Sequence, residues 1–242
     1  MLETGEIIQT VERLLDIERE PSGKRILITA GGTREPIDSV RYIGNLSSGR
    51  TASRLADELI DAGYNVTWLG AENAVTPRRS CAMPRFNSFD DLALQLQVLL
   101  SENQFDVVIH AAAVSDFSVA AILTPEGDRL GGNTAKLSSG SDLLLRLKSN
   151  PKLLSKIKSW SKNRQVRVVG FKLTDTRDVE QHFEAVKKQF DESGVDAVVH
   201  NDLADISDES HPFQLHTPMQ KPVACEDAEM LARTIDNLME RA

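Results

Sequence analysis

Residues 24–32, with the sequence KRILITAGG, form a short apolar run that contains β-branched residues and ends on two glycines. This pattern is typical of a buried parallel strand that delivers the chain to a ligand-binding loop. Apolar residues then recur at helical spacing, namely Ala52, Leu55, Ala56, Leu59 and Ile60. Gly63 follows where such a helix is expected to end. The stretch therefore predicts a strand, a loop and a helix.

The same alternation continues along the chain. Strands are predicted at YNVTWLG (64–70), FDVVIHAAAV (105–114), VRVVGFKL (166–173) and VDAVVHND (195–202), with a short edge segment at MPRFN (83–87). Helices are predicted from Ser88, which starts a capping box, over residues 178–192, and near residues 226–241. This order predicts an α/β fold, a doubly wound and mostly parallel sheet with helices on both faces. Ligands of such sheets bind outside the carboxyl ends of the strands.

We expect one main domain after a short N-terminal segment. Apolar residues at near-helical spacing predict a helix over residues 7–18, and the polar residues up to residue 24 are typical of a linker. Residues 25–242 are enough for a single sizeable core. Residues 117–150 include a stretch rich in Gly, Ser and charge that lacks an apolar period, so we interpret them as a flexible flap.

Composition argues against several classes of protein. The net charge is −8, with 36 acidic and 28 basic residues, whereas general binding to nucleic acid or to a membrane surface requires a basic face. No apolar run approaches the roughly 18 residues of a membrane span. Cys81 and Cys225 lie far apart without metal-ligand spacing, which favours a reduced, cytoplasmic protein over a disulfide scaffold.

Residues 41–50, RYIGNLSSGR, place an asparagine, two serines and two arginines just before the first predicted helix of the main domain. Helix N-termini, hydroxyls and guanidinium groups all favour anions. One serine alone is most simply a helix cap. The whole cluster instead predicts a site for a negatively charged ligand.

Three other residues are candidates because of their chemistry. Asp116 follows small residues at a predicted strand end, where it could hold a ribose hydroxyl or a hydrated Mg²⁺, or be a solvated loop acid. Lys136 could close over phosphates from the flap or remain solvated. We interpret His110 as a core or supporting histidine rather than a general base.

Several blocks that occur in order resemble the phosphopantothenoylcysteine synthetase family. They are ITAGGTREPIDSVRYIGNLSSGR, AAAVSDF, AKLSSG with LLLRLKSNPKLL, VVGFKLTDT and HND. The resemblance implies a Rossmann-like homodimer with phosphopantothenate–cysteine ligase activity in coenzyme A synthesis. A nucleoside triphosphate converts the 4′-phosphopantothenate carboxylate into an acyl-nucleotidyl intermediate with release of pyrophosphate. The amine of L-cysteine then displaces the mononucleotide and forms an amide.

The resemblance also implies roles for individual residues. The expected catalytic residues are Asn45, which would hold the intermediate, and Lys136, which would meet the triphosphate. Substrate contacts are implied for Gly31, Arg41, Ser47, Gly49, Ala112, Ala113 and Asn201. Nucleotide contacts are implied for Asp116, Lys136, Pro151, Lys152, Leu153, Leu154, Phe171 and Lys188. Asp116 is also the expected Mg²⁺ ligand, and Arg41 belongs to a set of residues that reach the site across the dimer interface or contact the nucleotide.

The sequence departs from the family pattern at several points. Bacterial bifunctional members carry a decarboxylase domain before the synthetase, and we expect this chain to be a stand-alone synthetase without it. Ala52 stands where the family often has a second glycine, and the flap reads Lys136-Leu137-Ser138 instead of K-I-K or K-I-Q. FKLTD (171–175) is similar to the ATP-using eukaryotic version, whereas GGTREPID (31–38) is bacterial in style. On the latter block we favour CTP, with ATP as the alternative.

Two other functions compete with the ligase. A short-chain-type NAD(P)-dependent reductase would need a Tyr-x-x-x-Lys pair and a G-x-x-x-G-x-G turn, but the two tyrosines, Tyr42 and Tyr64, are not in such a pair. A catalytically silent homologue that keeps the nucleotide pocket would fit the departures at Ala52 and in the flap.

Overall fold

A computed structural model describes residues 23–128, 142–207 and 210–240. Its strands are β1 (Arg25–Ala30), β2 (Arg34–Pro36), β3 (Tyr42–Gly44), β4 (Asn65–Ala71), β5 (Arg85–Phe86), β6 (Val107–His110), β7 (Phe117–Leu123), β8 (Leu144–Ser149), β9 (Arg167–Thr174), β10 (Ala197–Asp202), β11 (Phe213–His216) and β12 (Val223–Cys225). Its α-helices are α1 (Arg50–Asp61), α2 (Phe89–Glu102), α3 (Ile157–Trp160), α4 (Val179–Ser193) and α5 (Ala228–Glu240). The helix predicted over residues 7–18 lies outside the described residues.

Eight strands form one sheet in the order β12-β11-β10-β9-β6-β1-β4-β5. The six strands from β10 to β5 are parallel, and β11 and β12 pair antiparallel at one edge. The chain runs from β1 outward through β4 to β5 and then returns to the other side of β1 as β6. This reversal creates a switch point between β1 and β6, which is where doubly wound sheets bind ligands. The predicted α/β, Rossmann-like, mostly parallel sheet is confirmed.

The central strand and the helix ends follow the expected physical rules. Residues 26–30 of β1 are fully buried, as a parallel strand covered on both faces should be. The predicted cap of α2 is confirmed, because the Ser88 hydroxyl accepts a hydrogen bond from the Asp91 amide at 3.3 Å. Asp178 caps α4 in the same manner, and Gly194 ends that helix in the left-handed conformation.

Two antiparallel ribbons lie outside the main sheet, one formed by β2 and β3 and one by β7 and β8. The second ribbon corrects our interpretation of residues 117–150 as a single flexible flap, because both ends of that segment are paired strands. All six residues of β8 are exposed, so the strand has no alternation of buried and exposed residues. The patterns also missed β11 and β12. Lys136 lies outside the described residues.

Two leucines of α2 provide a test of the packing. Leu96 is fully buried, whereas Leu94 is 59% exposed. We expect Leu96→Ala to lower the free energy of unfolding by about 2–5 kcal/mol, because it leaves a cavity in the core. Leu94→Ala is the matched control and should change that free energy by less than about 0.5 kcal/mol. Denaturant titration measures both values, and equal losses would contradict the orientation of α2.

Candidate active site

A cleft of about 1040 Å³ opens at the carboxyl ends of β6, β9 and β10, where α1 begins. Four stretches of chain supply much of its lining: residues 46–52, 110–116, 151–154 and 171–173. Side chains from α4 and from the segment after β10 complete the wall. The cleft therefore occupies the position that the strand order predicts for a ligand site.

Two glycines allow the start of α1 to pack directly against the end of β1. Gly31 and Gly49 have φ values of 83° and 70°, in the left-handed region that favours glycine. A Cβ on Gly31 would lie 2.7 Å from the Cβ of Ala71, and one on Gly49 would lie 2.9 Å from the Cβ of Ala74. Gly49 lines the cleft, whereas Gly31 is buried and is not among the lining residues. A direct contact of Gly31 with substrate stays a prediction.

The serines of the predicted anion site line the cleft at the start of α1. Gly49, not a serine, occupies the N-cap position of α1, and no side chain caps this helix. Ser48 Oγ accepts only a long hydrogen bond of 3.4 Å from the Arg50 amide. Ser47 and Ser48 both face the cleft. This arrangement favours ligand binding over capping as the role of the cluster.

The two arginines of residues 41–50 do not meet within one chain. Arg50 lines the cleft, as predicted. Arg41 lies in the turn between β2 and β3, where its guanidinium contacts the Asp38 carboxylate at 2.5 Å. Arg41 is not among the residues that line the cleft. Our expectation that both arginines converge on one ligand is therefore wrong for a single subunit.

Asn45 joins the loops that follow β1 and β6. Its Nδ2 donates a hydrogen bond to the Ala113 carbonyl at 3.0 Å. The Ala113 amide in turn donates to the Gly31 carbonyl at 2.8 Å, and the Thr33 amide donates to the Ala113 carbonyl at 3.2 Å. Ala112 and Ala113 line the cleft, so the structure brings Asn45 to its rim.

An ion pair crosses the cleft between two predicted nucleotide-binding segments. Lys152 Nζ lies 2.6 Å from Asp116 Oδ1, and both side chains are exposed. The missed residue Asn150 fixes their spacing, because its amide donates to the Asp116 carbonyl and its Nδ2 donates to the Ser115 carbonyl. Nothing in the local sequence distinguishes Asn150 from an ordinary helix cap. Pro151, Lys152, Leu153 and Leu154 all line the cleft, as predicted.

Aromatic rings and one amide form the opposite wall. Phe171 contacts Phe213 edge to face, with ring centroids 6.4 Å apart. Asn201 Nδ2 lies 3.0 Å from His211 Nε2, and the His211 ring stacks on Phe213 at 4.4 Å. Burial lowers the pKa of His211, so this ring is uncharged at neutral pH. Phe171 and Asn201 were predicted, whereas His211 was missed because an isolated histidine in a polar stretch carries no pattern.

The cleft lining carries slightly more basic than acidic side chains, although the chain is acidic overall. The basic residues in the lining are Arg50, Arg54, Lys152, Lys172 and Lys188. Lys188 Nζ lies 3.8 Å from a Glu192 carboxylate oxygen, which is a loose and exposed pair. The acidic residues in the lining are Asp116, Glu192, Glu226 and Asp227. The basic side chains of the lining suit phosphate or carboxylate groups of a ligand.

His110 is a buried support for the cleft, as the sequence predicted. Its Nδ1 lies 2.9 Å from the Thr29 hydroxyl, which also accepts a hydrogen bond from the Ala112 amide at 3.1 Å. Thr29 therefore donates its own proton to the ring. Burial lowers the pKa of His110 to about 4, so the neutral ring holds Thr29, and Thr29 holds the small-residue loop.

Comparison with known proteins identifies the family of this chain. Residues 21–235 match the family described as DNA/pantothenate metabolism flavoprotein C-terminal domain. The chain belongs to this family. None of the helices in the described part of this family member is long and apolar enough to cross a membrane.

Relatives and solved structures agree with the assignment to the DNA/pantothenate metabolism flavoprotein C-terminal domain family. The chain is 33% identical over 210 residues to the coenzyme A biosynthesis bifunctional protein CoaBC of Thermococcus kodakarensis, which covers 87% of this chain and 49% of the relative. The same protein of Methanocaldococcus jannaschii is 30% identical over 205 residues, which covers 82% of this chain and 45% of the relative. The chain thus spans about half the length of these relatives.

A crystal structure of the DNA/pantothenate metabolism flavoprotein from Streptococcus pneumoniae has a TM-score of 0.81 and 26% identity, over 90% of this chain and 99% of that one. A complex of the Cab2 mutant H337A with phosphopantothenate-cysteine has a TM-score of 0.73 over 98% of this chain and 93% of that one. At 19% identity, this second likeness concerns the fold alone.

The buried His110 predicts a pH dependence of stability. Its pKa is about 4 in the folded chain and near 6.5 when unfolded, so its contribution to stability is fully present above about pH 6.5 and is lost as the pH falls toward about 4. We expect His110→Gln to reduce this acid loss by about 1–3 kcal/mol. Denaturant titrations across this pH range measure the difference. Identical pH profiles for both proteins would contradict the assignment.

Proposed function

We propose that this chain is a phosphopantothenate–cysteine ligase of coenzyme A synthesis. The observation that carries the proposal is the junction of the Asn45 loop with residues 112–113 at the rim of the cleft, in a member of the DNA/pantothenate metabolism flavoprotein C-terminal domain family. The relatives that it matches are named for coenzyme A biosynthesis. Because the chain spans about half of those relatives, the ligase half of their chemistry is the part that we assign to it.

The reaction needs positioning and charge neutralisation more than a reactive side chain. The carboxylate of 4′-phosphopantothenate attacks the α-phosphorus of the nucleotide, and pyrophosphate leaves. The amine of L-cysteine then attacks the acyl carbon, the mononucleotide leaves, and the amine loses a proton. Both nucleophiles belong to substrates, so the enzyme contributes orientation and cations. Arg50, Arg54 and Lys188 supply positive charge along the cleft.

For the nucleotide we propose the wall formed by residues 151–154 and Phe171. Lys152 and Lys188 can face phosphates from the two sides of this wall, and the aromatic ring of Phe171 offers a surface for a base. Lys136 would add a further cation from its own segment. We favour CTP over ATP on the bacterial style of residues 31–38.

The same proposal includes Mg²⁺ bound with the nucleotide. Asp116 fits this role, because Mg²⁺ in nucleotide sites takes one or two carboxylates together with water and substrate phosphates. Its Oδ1 is held by Lys152, so the ion pair must open or share that oxygen. The ion would supply charge neutralisation on the triphosphate, while Asn45 and the basic residues orient the substrates.

A reductase of the short-chain type would need a catalytic tyrosine in the cleft. Tyr64 is buried and its hydroxyl donates to the Asp236 carboxylate, and the ring of Tyr42 contacts the Arg34 guanidinium at 4.5 Å from its centroid. Neither tyrosine lines the cleft. A silent homologue is the alternative that an assay of pyrophosphate release would reveal.

Cys81 and Cys225 are both free, which supports the reducing cytoplasm as the location of the protein.

We propose a homodimer that completes the cleft. Exposed apolar side chains are concentrated on and near the two ribbons, namely Val40, Tyr42, Ile43, Leu46, Phe117, Leu144, Leu145 and Leu147. An apolar surface of this kind marks a contact with another protein surface. Arg41 lies among these side chains and outside the cleft of its own chain, which supports its use by the partner subunit.

The activity test is pyrophosphate release with Mg²⁺, 4′-phosphopantothenate and L-cysteine, with CTP and ATP in parallel. Release that requires phosphopantothenate supports the ligase, whereas a folded chain without release would be the silent homologue. We expect Asn45→Asp to slow turnover by about 10²–10³-fold, because it replaces a donor with a negative charge where anions bind. Asn65→Asp, at the exposed start of β4, is the matched control and should leave turnover unchanged.

The shared site predicts complementation between two impaired variants. We expect Arg41→Ala and Asn45→Asp each to turn over slowly alone but to regain activity when co-expressed with different tags and purified as a mixed dimer. In that dimer, one cleft combines an intact Asn45 with an intact Arg41 from the partner subunit. A mixed dimer without turnover would show that Arg41 acts within its own chain.

A further inference from the structure

A cluster of two histidines and an aspartate lies outside the residues that line the cleft. We propose that His182, His200 and Asp202 bind a divalent transition-metal ion of the Zn²⁺ class and fasten α4 to β10. Their candidate ligand atoms all lie within 4.8 Å of one another. The proposal is independent of the ligase activity, because it concerns other residues and a different kind of ion.

The fold brings the three side chains to one face of the sheet. His200 and Asp202 are two residues apart on β10, so they point to the same side. His182 lies in the first turn of α4, which packs on that side. Its Nε2 is 3.0 Å from Asp202 Oδ2. One helix and one strand thus present two imidazoles and a carboxylate to a common point.

The separations suit coordination after a small adjustment. In a tetrahedral site with bonds of about 2.0–2.2 Å, ligand atoms lie about 3.3–3.6 Å apart. His182 and Asp202 are already near this value, and no pair needs to close by more than about 1.5 Å. Rotation of the His182 and His200 rings about their side-chain bonds provides such a shift.

A hydrogen-bond network already holds the carboxylate in place. The Thr174 hydroxyl donates to Asp202 Oδ2 at 2.5 Å and therefore accepts from His200 Nε2 at 2.9 Å. The Thr176 amide donates to the same carboxylate oxygen at 3.1 Å, and the Ala204 amide donates to Oδ1 at 2.9 Å. Partners that orient a ligand in this way are typical of metal sites.

Two ring protons must move before the histidines can bind a metal. His182 Nε2 lies 2.6 Å from the Thr176 carbonyl, which only accepts, so this nitrogen carries the proton in the metal-free chain. His200 Nε2 likewise donates to the Thr174 hydroxyl. Moving each ring proton to Nδ1 frees the Nε2 lone pair without loss of a proton.

The ligand set selects the kind of ion. Two imidazole nitrogens and one carboxylate oxygen suit Zn²⁺, Co²⁺ or Fe²⁺, whereas Mg²⁺ prefers oxygen ligands only. Three protein ligands leave one position for water. His182 is the outermost member, with 21% of its side chain exposed against 2% for Asp202, so the ion enters past His182.

The test is Zn²⁺ binding by the full chain, stripped of metal by a chelator and without nucleotide. Equilibrium dialysis should show one saturable Zn²⁺ per chain, and Co²⁺ should give the visible absorption of a nitrogen- and oxygen-ligated site. His182→Gln and His200→Gln should each weaken Zn²⁺ binding by at least about 10–100-fold. His211→Gln removes a histidine outside the cluster and should leave binding unchanged. An excess of Mg²⁺ should not compete.

Thermal melting distinguishes a variant that has lost Zn²⁺ binding from one that has lost its fold. Zn²⁺ should raise the melting temperature of the natural chain but not that of His182→Gln, which should melt like the natural chain in the absence of metal. Because His182 is partly exposed, we expect His182→Gln to fold. This variant therefore tests the proposed metal site even if His200→Gln fails to fold. Equal Zn²⁺ binding by the natural chain and His182→Gln, or no saturable binding, would overturn the proposal.

Discussion

The close approach of α1 to the end of β1 is the constraint on which the cleft depends. Gly31, Gly49 and Ala74 meet with no room for another carbon, so the N-terminus of α1 sits directly over the strand end. The loop after β6 is then hydrogen-bonded to the loop after β1 through Ala113. Without this contact, Asn45 would have no fixed partner and the rim of the cleft would lose its shape.

Sequence patterns predicted the parts of the fold that burial controls. Central strands such as residues 26–30 are mostly apolar runs because both of their faces are covered. Helices such as α2 begin at a recognisable capping residue. The ribbons escaped prediction because their order comes from pairing between strands and not from burial. β8 is the clearest example, since every residue in it is exposed.

The candidate site was predicted only in part, because local patterns reveal only residues that are neighbours in the chain. Residues in one motif, such as Ser47 and Gly49, reach the cleft together because they are neighbours in the chain. Arg41 belongs to the same motif but turns toward Asp38, which no local pattern reveals. Asn150 and His211 act through contacts with residues 35 and 10 positions away, so their roles appear only when the chain is folded.

The position of the β7–β8 ribbon links the local stability of the chain to its site. The ribbon starts directly after Asp116 and ends just before Asn150, and these two residues align the 151–154 turn. Because every residue of β8 is exposed in the single chain, the strand is held there mainly by its pairing with β7. Contacts that a partner subunit makes with β8 would therefore also stabilise the ends of the ribbon, and with them the positions of Asp116 and Asn150.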